Sequence, residues 1–258
     1  MIKEREYFFF IFDMAETLLK NGAEINRVES TIQYVARAYN LEHFDSFIMI
    51  NGIILTLQLD DETIQARVKE IPILPINLGR IEAINVLSRD IDQGKISFSD
   101  AQKKLASIQT TNYTRTRLKL MSFGFGSSTF SYLFSNSIPS ALGALVIGLI
   151  LGFYLLYIQP RFHFKITKIF SNLTSSMLVT ILAYFLSQIF PNLGMSSLIT
   201  GGIISLVPGV AMVNAIRYLF DGDYLSGAGM LMDAFITAAT ISVGVGIILR
   251  FTQWISTF

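Results

Sequence analysis

Residues 201–227, GGIISLVPGVAMVNAIRYLFDGDYLSG, begin as an apolar run and end in a group of charged side chains. Pro208-Gly209 interrupts the run. Because proline lacks a backbone N–H and clashes with the preceding turn, a helix is expected to bend or break there. Asn214, Arg217 and Asp221 follow with a spacing that puts them on one face if the helix continues, and Asp223 comes just after. The stretch therefore predicts a broken membrane helix with a polar end.

The whole composition agrees with a membrane protein. The chain has 258 residues, of which 52% are hydrophobic and 15% charged, and its mean hydropathy is +0.51. These values predict several bilayer spans. The net charge of +1 argues against a nucleic-acid partner. The absence of cysteine excludes disulfides, thiolate metal sites and cysteine nucleophiles, and the sequence predicts no cofactor or metal.

Charge divides the chain into two parts. Up to Lys119 there are 15 basic and 16 acidic residues, whereas the remaining 139 residues carry five basic and three acidic ones. We predict a multi-span α-helical membrane protein with an N-terminal cytoplasmic α+β domain. The expected domains are residues 1–115 and, with five transmembrane helices, residues 116–258.

Turn and capping signals divide the N-terminal domain into short elements. Asn21-Gly22 is typical of a left-handed helix cap, Asn51-Gly52 of a type I′ hairpin turn, and Ser99 of a helix N-cap. A polar turn, Asp60-Asp61-Glu62, precedes the last strand. The expected helices are 4–20, 24–39, 78–92 and 99–108, and the expected strands lie within 47–59 and 63–71.

One polar cluster in this domain has two interpretations. Gly22, Glu24, Arg27 and Glu29 lie within GAEINRVE at the start of the second helix. They indicate either a site at a helix start or a turn glycine with surface ion pairs. Catalysis has little support, because the chain has only two histidines, His43 and His163, and no GxSxG, HExxH or P-loop motif. We therefore predict that the protein is not an enzyme.

Five segments are apolar enough to be candidate spans, since about 20 apolar residues cross the roughly 30 Å hydrocarbon layer. The first contains FGFGSSTFS at 123–131, and its small residues predict a helix packed closely against others. The candidate spans are residues 118–135, 139–158, 170–190, 195–215 and 228–249.

Basic residues predict the orientation of these spans. Seven basic residues fall on one side of the predicted membrane, whereas the other side has only Arg250. The seven are Arg115, Arg117, Lys119, Arg161, Lys165, Lys168 and Arg217. By the positive-inside rule, the N-terminus is cytoplasmic and the C-terminus outside.

Asp233 is the one acidic residue inside a predicted span, about one turn from the start of the fifth. A charge at the bilayer centre costs about 2.5–3.5 kcal/mol on insertion scales, so the residue is a candidate functional group. It can also lie at headgroup depth, where that cost is small. Arg217, Asp221 and Asp223 can likewise form a solvated loop. A broken helix with ionisable neighbours is typical of secondary transporters.

Three segments resemble the threonine/serine exporter family. The most specific of them is residues 205–235, SLVPGVAMVNAIRYLFDGDYLSGAGMLMDAF. It contains the family's LVPG run, N-x-x-R stretch, GD pair, SG pair and acidic residue in the last helix. LLKNGAEINRVESTI at 18–32 is similar to its GAE-x-x-RVE helix start, and 76–108 to a later helical segment. The matching positions are Leu206, Val207, Pro208, Gly209, Asn214, Arg217, Gly222, Asp223, Ser226, Gly227 and Asp233.

The resemblance implies an ion-coupled secondary transporter that exports threonine, serine or succinate-like dicarboxylates from the cytoplasm. The chain is similar to the long subunit of the split form, which implies a short membrane partner of related fold, and a homo-oligomer is also compatible. Asp233 is then expected to respond to protons, and Arg217 to pair with it or with a substrate carboxylate. The Pro208-Gly209 break is expected to supply backbone dipoles. The alternatives are a membrane scaffold or sensor without transport, and a membrane-anchored hydrolase.

Overall fold

The computed structural model describes residues 2–59, 63–72, 76–161 and 167–255. The predicted turn Asp60-Asp61-Glu62 and the residues His163 and Lys165 lie outside the described residues. The chain forms two compact units, Met1–Tyr113 and Thr114–Phe258.

The first unit packs four helices with a small antiparallel sheet. Its strands follow the order β1-β2-β3, and Phe8, Phe12 and Leu18 of its first helix are fully buried in the core. The pattern of apolar residues on one helix face explains this packing. The elements are α1 (Ile2–Lys20), α2 (Ile25–Ala38), β1 (Phe44–Met49), β2 (Gly52–Gln58), β3 (Ile64–Glu70), α3 (Leu78–Asp92) and α4 (Phe98–Thr110).

Two local predictions in this unit are wrong. The β1–β2 hairpin is present, but Met49 pairs with Gly52, so its turn residues are Ile50 and Asn51. Neither Asn51 nor Gly52 has a positive φ, which excludes the type I′ turn. The N-cap of α4 is Ser97 and not Ser99. The Ser97 hydroxyl accepts a hydrogen bond from the Asp100 amide and donates one to the Asp100 carboxylate, and this pairing places the N-cap two residues earlier than predicted.

The second unit contains helices joined by short turns, and its described residues form no strand. Its elements are α5 (Thr116–Ser135), α6 (Ile138–Phe153), α7 (Lys168–Ile189), α8 (Met195–Ile203), α9 (Gly209–Phe220) and α10 (Tyr224–Ile255). A π-helical turn, Tyr154–Ile158, and a short 3₁₀ turn, Gln159–Arg161, extend α6.

Three helices in the described part of the chain are long and apolar enough to cross a membrane. They are Ile138–Arg161, Lys168–Ile189 and Tyr224–Trp254. The predicted first span forms α5 but is not among the three, and its first turns carry Arg117 and Lys119. The predicted fourth span is divided between α8 and α9. The count of five spans is therefore not confirmed by helix length and composition.

Small residues bring α5, α6 and α8 together. A Cβ added at Gly148 of α6 would lie 2.4 Å from the Phe123 carbonyl of α5. One added at Gly201 of α8 would lie 2.6 Å from the Ser127 carbonyl. Ser127 and Ser131 are fully buried in α5. The Gly- and Ser-rich segment of the first predicted span thus packs against other helices, as its composition predicts.

These contacts also give the direction of the helices. A Cβ at Gly152 of α6 would meet Phe123 of α5, whereas one at Gly148, four residues earlier, would also meet Ser127, four residues later in α5, so the two helices are antiparallel. A hydrogen bond from the Tyr154 hydroxyl to the Thr174 hydroxyl, 3.0 Å, belongs to the antiparallel pair α6 and α7. By contrast, Lys168 contacts Asp233 and Ser176 contacts Gly244, so α7 and α10 are parallel.

Candidate transport site

The predicted break in the fourth span is present. α8 ends at Ile203, α9 begins at Gly209, and residues 204–208 between them are not helical. Pro208 is the N-cap residue of α9, with φ −81° and ψ 50°. Pro208 provides no side-chain cap, so the first amides of α9 form a helix start of positive polarity.

Gly222 and Asp223 connect α9 to α10 through two capping motifs. Gly222 has a φ of +84°, its amide donates to the Leu219 carbonyl, and the Asp223 amide donates to the Tyr218 carbonyl. This is a Schellman motif, which satisfies the last carbonyls of α9. The Asp223 carboxylate then accepts a hydrogen bond of 3.1 Å from the Ser226 amide and caps α10. Asp223 thus has a structural role at this turn.

Gly227 sets the packing of α10 against α9. A Cβ at this position would lie 2.7 Å from the Leu219 side chain and 3.1 Å from the Ala215 carbonyl. The contact fixes the register of the antiparallel hairpin and places Gly227 level with Arg217. Asp233 is six residues further along α10, roughly 9 Å along the axis, and lies opposite the first turns of α9.

Asp233 forms an ion pair with a residue that the sequence interpretation used only for orientation. Its carboxylate oxygen lies 2.6 Å from the Lys168 ammonium, which belongs to the first residue of α7. The Asp233 side chain is 29% exposed and that of Lys168 54% exposed. This contact was not predictable from local spacing, because the two residues are 65 positions apart. It supplies the carboxylate with a cationic partner other than Arg217.

Asn214 and Arg217 lie on α9, which continues as a helix through both positions. Asn214 is half-buried and Arg217 exposed. Asp221 is the C-cap residue of α9, so it lies at the end of the helix and not within it. The structure therefore groups the predicted residues around one hairpin: Asp233 level with the start of α9, the break just beyond it, and Arg217 and Asp223 nearer the turn.

The motif in the first unit lies at the joint between α1 and α2. Gly22 has a φ of +77°, and the amides of Gly22 and Ala23 close α1 through a Schellman motif, which confirms the predicted left-handed cap. Glu24 is the N-cap residue of α2, and its backbone carbonyl accepts from the Arg27 amide. Arg27 is exposed, and Glu29 is half-buried. Among the described residues, no group of three His, Cys, Asp or Glu side chains is arranged to hold a metal ion.

The chain is similar to known transport proteins over nearly its whole length. The sequence model of a family described as "Putative threonine/serine exporter" matches residues 10–252. A protein of Klebsiella aerogenes named "Probable succinate transporter subunit YjjP" is 23% identical over 246 residues, covering 92% of this chain and 90% of the relative. The protein of the same name from Escherichia coli is 24% identical over 244 residues, with the same coverage.

A more distant similarity reaches a eukaryote. An uncharacterized protein of Schizosaccharomyces pombe is 21% identical over 249 residues, and the match covers 92% of this chain but 29% of that much longer protein. No solved structure matches the chain.

Proposed function

Because the chain belongs to the threonine/serine exporter family, we propose that it is the long subunit of a transporter that exports small carboxylate-bearing metabolites through the cell membrane. The name of the two bacterial relatives, a succinate transporter subunit, favours a dicarboxylate over an amino acid. The word subunit in that name supports assembly with a second membrane protein.

The ion pair between Lys168 and Asp233 is the observation that carries the proposal. Lys168 offers an ammonium to an anion, and Asp233 holds that ammonium when no substrate is bound. A substrate carboxylate competes with Asp233 for Lys168, and protonation of Asp233 releases the lysine. The uncapped start of α9 lies level with Asp233 and adds backbone N–H groups of positive polarity. Proton binding and substrate binding are thereby coupled at one pair of side chains.

The helix directions support a location at the cytoplasmic mouth of the pathway. α7 has 22 residues, about 33 Å, which matches the hydrocarbon thickness, so its first residue lies near a membrane boundary. Asp233 pairs with that residue and therefore lies near the same boundary, which favours the headgroup-depth alternative. The break at 204–208 lies further into the membrane, and Asn214 and Arg217 extend toward the cytoplasm, where they meet the substrate first.

Transport by reconstituted protein tests the proposal. Vesicles containing this chain and a short partner subunit are loaded with labelled succinate or serine, and efflux is followed with and without a pH gradient. Asp233→Asn is expected to abolish pH-dependent export while the protein remains folded, because the amide does not exchange a proton. Asp221→Asn is the matched control, since it removes a carboxylate from the helix end and leaves the ion pair intact.

A reversed pair separates the electrostatic role from a structural one. Lys168→Asp and Asp233→Lys each leave two like charges in contact, whereas the double variant restores an ion pair. We expect both single variants to lose export and the double variant to regain folding stability but not transport. Wild-type efflux in Asp233→Asn, with unchanged pH dependence, would remove this carboxylate from the mechanism. Absence of flux for every solute would favour the scaffold or sensor alternative.

A further inference from the structure

The first unit contains a polar cavity that the proposed transport site does not use. It has a volume of about 430 Å³ and lies between α1, α3 and the end of α4. That volume falls in the range of small-molecule sites. Its lining residues are Asp13, Glu16, Thr17, Lys20, Asn21, Arg80 and Gln109.

Four charged side chains line the cavity, two acidic and two basic, and two further basic residues outside it pair with the acidic ones. Asp13 pairs with Arg67 at 3.6 Å, and Glu16 accepts hydrogen bonds from both Lys20 and Lys69. With Arg80, these six side chains carry four positive and two negative charges. After Arg67 and Lys69 have neutralised the two carboxylates, the positive charges of Lys20 and Arg80 remain, and both residues line the cavity.

Arg80 is held in place by neutral groups. Its guanidinium donates to the Ile108 carbonyl at 3.1 Å, to the Asn21 side-chain oxygen at 3.2 Å and to the Thr111 carbonyl at 3.1 Å. The described residues provide it with no carboxylate. Two of these acceptors belong to the end of α4, so Arg80 also caps that helix. A guanidinium has five N–H donors, so these three bonds leave donors for a ligand.

The walls of the cavity are ordered by buried hydrogen bonds. Thr17 is 5% exposed, donates to the Asp13 carbonyl and accepts from the Gln109 amide at 2.9 Å. Asn21 is 7% exposed and donates to the Thr17 carbonyl. Preorganised polar groups of this kind orient a ligand at little entropic cost. The Gly22 cap directly follows Asn21 and fixes the chain at this point.

Two of the segments that resemble the exporter family meet at this cavity. Asn21 belongs to the segment 18–32, and Arg80 and Ile108 belong to the segment 76–108. The membrane helices do not explain why these segments resemble the family. A ligand site at their junction gives them a role of their own.

We propose that this cavity binds a small dianion, a dicarboxylate or a phosphate, between Lys20 and Arg80. The excess of two positive charges matches two negative charges on the ligand, and carboxylate and phosphate oxygens accept hydrogen bonds from both side chains. The site belongs to the first unit and the Lys168–Asp233 pair to the second, so we assign the site a regulatory role and not a step of transport.

Calorimetric titration of the full chain in detergent micelles tests this site with succinate, inorganic phosphate and serine as probes. Succinate or phosphate is expected to bind, more weakly as the ionic strength rises toward about 0.15 M. Lys20→Gln should weaken binding about tenfold, because a charge-assisted hydrogen bond is lost, and Lys20→Arg should restore it. Lys103→Gln, which changes an exposed lysine of α4 outside the cavity, is the matched control.

The Asp13→Asn variant distinguishes a dianionic ligand from an amino acid. Removal of this carboxylate should strengthen the binding of a dianion, whereas it would weaken the binding of an amino acid whose ammonium contacts Asp13. The relative affinities of succinate and phosphate identify the source of the dianion. The inference is overturned if neither dianion binds, if Lys20→Gln binds like the wild type, or if serine binds best and Asp13→Asn abolishes it. Titrations repeated in Lys168→Gln exclude the transport site, so failure of this inference leaves the proposed function untouched.

Discussion

Gly222 has a backbone conformation that residues with a Cβ adopt only at a cost. Its φ is +84°, and no atom lies within 4 Å of the position that a Cβ would occupy, so only the backbone resists substitution. Gly222→Ala should lower the stability of the purified chain by about 1–2 kcal/mol. Gly246 in α10 has equally open surroundings without a positive φ, and Gly246→Ala should be neutral or stabilising. Thermal unfolding in detergent compares the two variants, and an equal loss in both would contradict the explanation.

Glu16 makes the stability of the first unit depend on pH. Burial raises the pKa of this carboxyl, but hydrogen bonds from Lys20 and Lys69 outweigh burial and hold the pKa below its usual value. A depressed pKa stabilises the folded state above the pKa of the unfolded chain, and this contribution is lost as the pH falls through the folded value. Glu16→Gln should therefore destabilise the protein at pH 7, and its difference from the wild type should shrink below about pH 4. Thermal unfolding across this range provides the measurement; a difference that grows on acidification would refute the assignment.

At the residue scale, structural features that depend on adjacent residues in the chain, such as helix caps, can be predicted from the sequence. Asn21-Gly22 has the left-handed cap that its residue types favour. Ser97 was missed because two serines lie close together, although Asp100, three residues after Ser97, signals the correct capping motif. The partner of Asp233 was not predictable, because tertiary packing brings Lys168 to it from another helix.

At the scale of elements, glycine contacts hold the membrane helices together. A Cβ at Gly148 would lie 2.4 Å from a backbone carbonyl of α5, whereas one at Gly126 would meet no atom within 4 Å. Gly148→Ala should cost at least about 1–3 kcal/mol through overpacking. Gly126→Ala should be neutral or slightly stabilising, because alanine favours the helix. Thermal unfolding of the chain without a partner distinguishes them, and a tolerated Gly148→Ala would show that α5 and α6 separate easily.

The elements of the first unit follow closely from the sequence, because periodicity and turn residues are local signals. The predicted helices 4–20, 24–39 and 78–92 agree with α1, α2 and α3 within a few residues. The hairpin turn differs, since its register is set by pairing across three strands and not by Asn51-Gly52 alone. In the predicted fourth span, one feature was predictable and another was not. Pro208 predicts where the helix breaks, whereas the capping of α9 and of α10 depends on backbone geometry that the sequence pattern does not give.

For the whole molecule, the helix directions lead to a prediction of membrane topology. α7 and α10 are parallel, and both are long enough to span. If both cross the membrane, the chain between them returns across it, so α8, the break and α9 together form one crossing. α5 and α6 are antiparallel, so α5 also crosses if its polar first turns lie at the boundary. We therefore predict five crossings, and the positive-inside rule predicts a cytoplasmic N-terminus and an external C-terminus for them.

Sided labelling of single cysteines tests this topology, because the chain contains no cysteine of its own. Ile138→Cys and Asn192→Cys, at the α5–α6 and α7–α8 turns, should react with an impermeant maleimide added to intact cells. Phe220→Cys, before the α9–α10 turn and 88% exposed, should react only after the membrane is opened. Tyr34→Cys, exposed in the first unit, reports the side of that unit, which we predict to be cytoplasmic. Labelling of Phe220→Cys from outside would contradict this topology. If Tyr34→Cys stayed protected, α8 and α9 would not return across the membrane; if Tyr34→Cys were also labelled, the orientation would be inverted and the Lys168–Asp233 pair would lie at the external mouth, unable to receive a cytoplasmic substrate.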